Sequence, residues 1–288
     1  MKILKTLKTL LLVTLGLSLS QTAMSEPTSF SNAKKTLATK IYTDNDETFY
    51  CGCDMYYADK KGKPWLTPSH EACGFKPRKQ EKRAARIEWE HVVPAWYFGH
   101  QRMCWQEGGR KKCRKDPIFK KMEANLHNLV PAIGEVNGDR SNFSLTMVSS
   151  NIASQYGQCD MVIDFKAKKA QPTDEIRGDI ARTYFYMADK YKLRLSNQDL
   201  KLYTAWNNSD PVSKEELRIH NLKAKYQGEK NPYITGEKSP KDFKNPKSNA
   251  EIVYDSLRES NVESYLSNDE RDALKKIKTE FLKVLNPS

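Results

Sequence analysis

Beyond its first 25 residues, the chain has no apolar run that approaches membrane length, because a spanning helix needs roughly 20 consecutive apolar residues. The run from Leu10 to Leu19 is itself too short to cross a bilayer. It follows the lysine-rich start MKILKTLK and precedes Ala23-Met24-Ser25, which supplies the small residues that a signal peptidase reads. We therefore predict that residues 1–25 are a cleaved secretory signal, with a short membrane anchor or a buried N-terminal helix as the alternative. The mature protein is then expected in the periplasm or outside the cell, without a membrane segment.

Acidic residues are scarce relative to basic ones. The 288 residues include 36 Asp and Glu against 48 Lys and Arg, which gives a formal net charge of +12. Loss of Lys2, Lys5 and Lys8 with the signal lowers that charge to +9. An exported protein with this excess is expected to meet a polyanionic partner, either nucleic acid or an anionic cell surface. Composition alone leaves both partners open.

Cysteine is absent beyond residue 159, and all six cysteines follow the predicted signal. An even number of cysteines in an exported protein favours three disulfides. Cys104 and Cys113 enclose a short basic loop that a bridge between them would hold. A structural zinc site or a redox pair is the alternative. However, Cys51-Gly-Cys53 is not a C-x-x-C motif, and no second pair completes a set of four zinc ligands.

The chain also lacks the H-E-x-x-H motif of zinc proteases. Its five histidines lie far apart in the sequence, at His70, His91, His100, His127 and His220. A three-histidine zinc site would need distant residues to converge, which argues against a metal-dependent protease or phosphatase. A noncatalytic basic protein that binds extracellular nucleic acid or an anionic polymer stays open as the alternative to an enzyme.

No internal repeat divides the chain. We predict one main domain over residues 26–234 and a linker over residues 235–249, where the sequence TGEKSPKDFKNPKSN lacks apolar periodicity. Residues 250–288 carry apolar side chains at broadly helical spacing, interrupted near Ser267-Asn268, where an N-cap fits. This C-terminal tail, to which we assign no role, is predicted to form two short helices.

The apolar pattern of the main domain predicts an α+β fold. An apolar stripe predicts a helix from about Ile176 to Tyr191. The segment from Arg86 to Val93 predicts a strand that ends before Pro94, because proline cannot donate to a strand ladder. Helical and extended segments do not alternate as they do in a parallel α/β fold.

One segment with chemically active side chains is Ile87-Glu-Trp-Glu-His-Val-Val-Pro94. His91 at the end of a strand fits a general base, because an unperturbed histidine with a pKa of about 6.5 is largely neutral near pH 7. Glu90 offers a hard oxygen ligand for a divalent ion. Neighbouring residues of a regular strand point to opposite faces, so we expect the strand to bend here. The alternative is a core histidine beside a surface glutamate.

A second segment joins the apolar run Leu129-Val-Pro131 to the polar sequence Asn137-Gly-Asp-Arg-Ser-Asn142. The amide oxygen of Asn137 can complete a metal site. One asparagine with one carboxylate leaves coordination positions for waters and a phosphate oxygen, as an open magnesium site requires. A turn that begins a helix is the structural interpretation of the same residues, and both can hold together.

Five segments in this order, EWEHVVPAWYFG, HNLVPAIGEVNGDRSNF, YGQCDMVID, RGDIARTYFYM and QGEKNPYI, resemble the bacterial periplasmic endonuclease I family over roughly residues 40–235. The resemblance implies a ββα-metal finger, in which a hairpin strand supplies a histidine and the following helix supplies a metal-binding asparagine. It makes His91 the general base and makes Glu90 and Asn137 the ligands of Mg²⁺, or of Mn²⁺ or Ca²⁺ at the same site. It makes Asn128 a residue that orients the site.

The resemblance also implies an arginine that holds the phosphate and a set of disulfides. Arg110 is the best placed arginine of the basic loop, with Arg102 and Arg114 as alternatives. The implied disulfides are Cys51–Cys159, Cys53–Cys73 and Cys104–Cys113.

From these features we expect a metal-dependent endonuclease that cuts DNA and RNA without sequence preference and leaves 5′-phosphate ends. Two basic runs flank the predicted site and are expected to line a nucleic-acid groove. They are Arg78, Lys79, Lys82, Arg83 and Arg86 before it, and Arg110, Lys111, Lys112, Arg114 and Lys115 after it. Solvated faces are the ordinary alternative for such runs. No protein partner is implied.

Overall fold

The computed structural model describes residues 26–43, 46–59, 64–248, 251–252, 256 and 266–285. The predicted secretory signal lies outside the described residues. No helix in these ranges is long and apolar enough to cross a membrane. The α-helices, numbered in chain order, are α1 Phe30–Thr36, α2 Glu81–Ala84, α3 Ala95–Gly99, α4 Met103–Cys113, α5 Pro117–Glu123, α6 Gly134–Arg140, α7 Arg177–Tyr191, α8 Asn197–Ser209, α9 Lys214–Gln227, α10 Pro232–Thr235 and α11 Asn268–Leu285.

The strands of the described ranges form three small sheets. Strands β1 and β2 pair antiparallel, β3 and β4 pair antiparallel, and β7 lies between a parallel β5 and an antiparallel β6. Their bounds are β1 Met55–Asp59, β2 Pro64–Pro68, β3 Ile87–His91, β4 Leu129–Ile133, β5 Ser144–Leu145, β6 Val162–Asp164 and β7 Lys169–Gln171. Small sheets set among helices confirm the predicted α+β class.

Helix α7 confirms the helix predicted from the apolar stripe. Ile180, Tyr184 and Met187 are all buried, because the spacing of three or four residues keeps them on one face. The helix ends where Lys192 adopts the left-handed conformation, with its N–H bonded to the carbonyl of Ala188. These side chains belong to the larger of two hydrophobic clusters, which also takes in residues of α8 and of strand β4.

The strand pair β3–β4 contributes to both hydrophobic clusters. Ile87 of β3 and Leu129 of β4 pack in the smaller cluster with Leu37, which lies in a π-helical turn that continues α1. Val130 and Ile133 of β4 belong to the larger cluster. The pair is thus held by apolar packing on both sides, which gives the residues at its ends a fixed position.

The three disulfides form the same pairs that the resemblance implies, Cys51–Cys159, Cys53–Cys73 and Cys104–Cys113. The last pair shapes the basic loop. A straight helix would separate residues nine positions apart by roughly 13.5 Å, whereas the Cα atoms of Cys104 and Cys113 are 4.8 Å apart. The chain reverses inside α4 at Gly108 and Gly109, and Gly109 has a φ of 62°, which favours glycine.

The segment expected to be a linker packs on the main domain instead, as far as it is described. The Phe243 side chain is 7% exposed and lies 5.6 Å from the Phe185 ring, between ring centroids. The side chain of Asn245 both accepts from the N–H of Leu195 and donates to its carbonyl oxygen. A single aromatic residue in a polar sequence has no periodicity, so the pattern could not reveal this contact. Within the tail, helix α11 matches the second predicted helix and begins after Ser267, which caps it.

Candidate active site

Strand β3 pairs antiparallel with β4, and β4 runs directly into helix α6. In this register Glu90 lies opposite Val130 and His91 lies opposite Leu129. Helix α6 begins at Gly134, one residue after the strand ends. The arrangement brings the two sequence segments singled out above, which lie more than 30 residues apart, into one structural unit.

Two carboxylates of β3 face helix α6. Glu88 and Glu90 are two residues apart, so a strand presents them on the same side. Asn137 Nδ2 donates to Glu88 Oε2 at 2.8 Å, and Arg140 donates to Glu90 Oε1 at 2.7 Å. Asn137 and Arg140 are three residues apart and share one side of the helix. Strand β3 and helix α6 are therefore joined by two polar side-chain pairs.

Glu88 was missed in the sequence, although its spacing from Glu90 is the signal that would have found it. Its carboxylate forms salt bridges with Arg83 at 2.7 Å and with Arg86 at 2.6 Å. Burial alone would raise the pKa of Glu88, but the hydrogen bonds from these two arginines outweigh it and lower the pKa below its usual value. Glu88 is thus a charged anchor for the Asn137 amide.

Glu90 is buried, with 5% of its surface exposed. Its Oε1 accepts hydrogen bonds from Arg140 and, at 3.1 Å, from the Tyr50 hydroxyl. Burial raises the pKa of this carboxyl, and the attraction of Arg140 only partly offsets that effect. Two partners from distant parts of the chain therefore fix the orientation of the carboxylate.

His91 belongs to the opposite face of the strand, where its surroundings are apolar. Its ring lies 4.8 Å from the Phe30 ring, between centroids, and its Nε2 lies 2.8 Å from the carbonyl oxygen of Glu123. A carbonyl oxygen only accepts, so we assign the ring hydrogen to Nε2 and the free lone pair to Nδ1. Burial, followed by the positive field of Arg110, lowers the pKa of His91 to about 3. The free protein thus has a neutral imidazole at this position.

The chain leaves the strand ladder directly after His91. A bend near this residue was expected, because neighbouring side chains of a regular strand point to opposite faces. Arg140 donates to the carbonyl oxygens of His91 and Val92 at 2.9 and 2.7 Å. Asn128 accepts from the N–H of Val93 at 2.7 Å and donates to its carbonyl oxygen at 2.9 Å. Both side chains are fully buried. They satisfy main-chain groups that the end of the sheet leaves unpaired, and so hold the bend.

Three arginines were candidates for phosphate binding, and their contacts differ. Arg110 lines the same cavity as His91, and its Nε donates to the Glu123 carboxylate at 2.8 Å. Arg114 contacts the same carboxylate at 3.4 Å. Arg102 forms a salt bridge with Asp116 at 3.0 Å. Of these three side chains, Arg110 is the one that lines the cavity.

An open cavity of about 950 Å³ collects the predicted residues of strand, helix and loop. They are Glu90, His91, Arg110 and Asn137, together with Glu88. Asn128 does not line the cavity, and it acts on the main chain beneath it. Of the basic residues expected to flank a groove, Arg83 and Arg86 also line it, whereas Arg78 bonds to Asp139 instead.

The oxygen-bearing side chains of this cavity fit a magnesium ion. No group of three or more His, Cys, Asp or Glu side chains in the described ranges is placed to hold a metal ion, so a carboxylate-only or histidine cage is not the arrangement. Asn137 donates through Nδ2 to Glu88, so Oδ1 is the atom that this side chain offers to a cation. With the Glu90 carboxylate it makes a sparse set of hard oxygen donors, which is the kind of set that Mg²⁺ accepts while it keeps open positions.

Comparison of the chain with known proteins finds a matching family model and several relatives. The sequence model of a family described as Endonuclease I matches residues 29–238. The chain is 48% identical over 227 residues to a periplasmic deoxyribonuclease of Aeromonas hydrophila, covering 77% of this chain and 93% of the relative. It is 50% identical over 200 residues to Endonuclease-1 of Buchnera aphidicola subsp. Acyrthosiphon pisum, covering 69% and 78%. It is 46% identical over 226 residues to an extracellular deoxyribonuclease of Aeromonas hydrophila, covering 78% and 96%.

Proposed function

This chain belongs to the endonuclease I family, and from that premise we propose that it is an exported, divalent-metal-dependent endonuclease that cuts DNA and RNA without sequence preference and leaves 5′-phosphate ends. The observation that carries the proposal is that His91, Glu90, Asn137 and Arg110 all line one cavity. A phosphodiester fits this set, because hydrolysis needs a base, a charge-neutralising centre and a group that holds the phosphate.

Glu90 and Asn137 would hold the metal ion, with Mg²⁺ as the expected ion and Mn²⁺ or Ca²⁺ as substitutes. When bound, the ion supplies neutralisation of the negative charge that develops on the phosphate and on the leaving oxygen. Arg140 and Tyr50 hold the Glu90 carboxylate, and Glu88 holds the Asn137 amide. The ligands are therefore oriented before any ion arrives, which reduces the reorganisation that binding costs.

His91 acts as the general base through Nδ1. The imidazole takes a proton from a water molecule, the water oxygen forms a bond to phosphorus, and the bond between phosphorus and the 3′ oxygen breaks. The 3′ oxygen takes a proton from solvent, and the phosphate stays on the 5′ end. The hydrogen bond from Nε2 to the Glu123 carbonyl oxygen fixes the ring and its tautomer. The low pKa keeps the imidazole of the free protein unprotonated near pH 7.

Arg110 and the basic residues around the cavity bind the nucleic-acid backbone. Arg110 is tethered to Glu123, whose main chain also holds His91, so phosphate binding and base position depend on one residue. Contacts of this type address phosphate and sugar, which carry no sequence information. We therefore expect cleavage without a recognition sequence, and a site of this kind has no chemical reason to refuse RNA.

The disulfides favour a periplasmic or secreted location. All six cysteines of the chain are paired, and such bonds persist in oxidising compartments and not in the cytosol. The names of two relatives, a periplasmic and an extracellular deoxyribonuclease, support the same location. No protein partner is implied.

The direct test is incubation of the mature chain, residues 26–288, with supercoiled plasmid and with a structured RNA, each with and without EDTA. With magnesium and without EDTA, we expect nicked plasmid first, then linear DNA, then short fragments. The ends should accept a labelled phosphate from a kinase only after phosphatase treatment. A protein that binds plasmid equally with EDTA and never shortens it would be the noncatalytic alternative. Limit digests with one shared end sequence would contradict nonspecific cutting.

A further inference from the structure

A second cavity, of about 860 Å³, lies against strand β4. Val130 and Pro131 line it, whereas the catalytic cavity is lined by residues of β3, and the two cavities share no lining residue. Its other walls include Tyr42, residues 46–52, Asp160, the start of α7 and helix α9. The activity proposed above uses none of these side chains except Tyr50, which bonds to Glu90.

The charge of this cavity is opposite to that of the whole protein. Carboxylates outnumber lysine and arginine among its lining residues by seven to two, although the chain has a formal charge of +12. Burial and the nearby carboxylates of Asp54 and Glu215 raise the pKa of Glu47, one of the lining residues. Arg218 pairs with Asp46 and Glu215, and Arg182 pairs with Asp179 and Glu216. Glu47 and Asp160, in contrast, form no salt bridge among the described residues, so the charge left for a ligand lies on these two carboxylates at the rim. A cation is the ligand that such a field attracts.

His220 is an independent sign of a missing ligand. The side chain is 1% exposed and lines the cavity, yet neither ring nitrogen has a hydrogen-bond partner among the described residues. A buried polar group without a partner costs stability, so such groups are uncommon. The ring packs on His127, with 5.2 Å between centroids. A neutral imidazole has one nitrogen with a free lone pair, and that nitrogen can accept from an N–H donor.

The aromatic walls of the cavity, and the way they already hold the Lys223 ammonium, favour an organic cation as the ligand. Tyr42, Phe49 and Tyr50 line the cavity, and aromatic faces attract ammonium groups. Lys223 already lies over the Tyr42 ring, with its Nζ 5.7 Å from the centroid. Asp179 and Glu216 act electrostatically on this lysine. Aromatic walls suit an ammonium group that carries methylene segments better than a bare metal ion.

We propose that this cavity binds a linear aliphatic polyamine. Its terminal ammonium groups pair with exposed carboxylates at the rim, such as Glu47 and Asp160, and an inner N–H donates to His220. The methylene segments lie against the aromatic walls. This binding is separate from the nuclease site, and it does not depend on the function proposed for that site.

The test is calorimetric titration of spermidine into the full mature chain at low salt, without nucleic acid. We expect binding to one site that weakens as salt is added, because exposed charge pairs are screened. Glu47→Gln combined with Asp160→Asn should weaken it by about tenfold, since each exposed ion pair contributes up to about a factor of five. The matched control, Asp269→Asn with Asp272→Asn, removes the same charge from helix α11 and should bind as the wild type does.

His220→Phe keeps an aromatic ring and removes the acceptor nitrogen, so it should also weaken binding. If that variant fails to fold, the surface double variant still decides the question. Absence of saturable binding to the wild-type chain would overturn the proposal. Equal binding by the Glu47 and Asp160 variant and by the control would also overturn it, because the cation would then bind elsewhere.

Discussion

The paired strands β3 and β4 line two cavities that differ in charge and in the state of their histidines. On the β3 side, His91 has its Nε2 bonded to a carbonyl oxygen, and arginines surround the carboxylates. On the β4 side, neither ring nitrogen of His220 has a hydrogen-bond partner among the described residues, and carboxylates outnumber basic side chains. The first cavity suits the proposed phosphodiester substrate, which a water molecule would attack with His91 as its base. The second suits a cation that completes it. One strand pair can therefore serve two ligands of opposite charge.

The largest effect should come from loss of His91, the proposed general base in the first cavity. His91→Ala removes the proton acceptor and leaves Glu90 and Asn137 in place, so the cleavage rate should fall on the order of a hundredfold to ten-thousandfold. DNA binding in calcium should stay near the wild-type value. His100→Ala, a histidine outside the cavity lining, is the matched control and should cut normally. Plasmid nicking rates and gel-shift binding measure the two quantities.

The next effect concerns the Cys104–Cys113 disulfide, which closes the chain reversal inside α4. Cys104→Ser with Cys113→Ser should release the turn that carries Arg110, so cleavage should fall by more than it does in Arg110→Ala. Full reduction of the wild-type protein should have the same result, because a disulfide constrains its loop. Nuclease assays before and after reduction and alkylation test this. Undiminished activity of the reduced, alkylated protein would show that the loop needs no bridge.

A smaller effect separates the competing arginines. Arg110→Ala removes a charge-assisted contact to phosphate, and we expect about tenfold or greater loss in kcat/KM, since such hydrogen bonds contribute roughly 1.5–3 kcal/mol. Arg102→Ala removes a side chain that pairs with Asp116 away from the cavity lining and should change cleavage little. Steady-state rates on a short duplex measure both variants. A larger loss in Arg102→Ala would reverse the assignment.

The smallest effect is a pH dependence of stability in the second cavity. A histidine titrates near 6.5 in an unfolded chain, whereas burial lowers the pKa of His220 in the folded protein to about 4. Between these values the unfolded chain binds the extra proton, so the free energy of unfolding decreases as pH falls through this window. The drop in Tm from pH 7 to pH 5 should be smaller in His220→Phe than in the wild type, by roughly 2–4 °C. Equal drops would contradict the lowered pKa.

The sequence allowed the residues that meet in the first cavity to be predicted because they lie in two short segments. Glu90, His91 and Asn137 are flanked by apolar residues that mark a strand end and a helix start, and the resemblance added their roles. The supporting residues came from further away. Glu123 and Tyr50 lie 32 and 40 positions from their partners His91 and Glu90, so no local pattern connects them.

The second cavity escaped prediction for a related reason. Its lining comes from several segments that are far apart in sequence, so no local pattern brings them together. The packing of Phe243 escaped it too, because one aromatic side chain among lysines and prolines gives no periodic signal. Long-range packing decides both features, and a pattern in a single sequence records mainly local structure.

The most direct test of the division of labour in the catalytic cavity is a magnesium titration of plasmid cleavage by three variants, His91→Ala, Glu90→Ala and Asn137→Ala. The two ligand variants should regain activity as magnesium rises, because their defect is weakened metal binding. His91→Ala should stay inactive at every magnesium concentration, because its defect is the missing base. Rescue of His91→Ala by magnesium, with no rescue of Glu90→Ala, would show that base and ligand are assigned to the wrong residues.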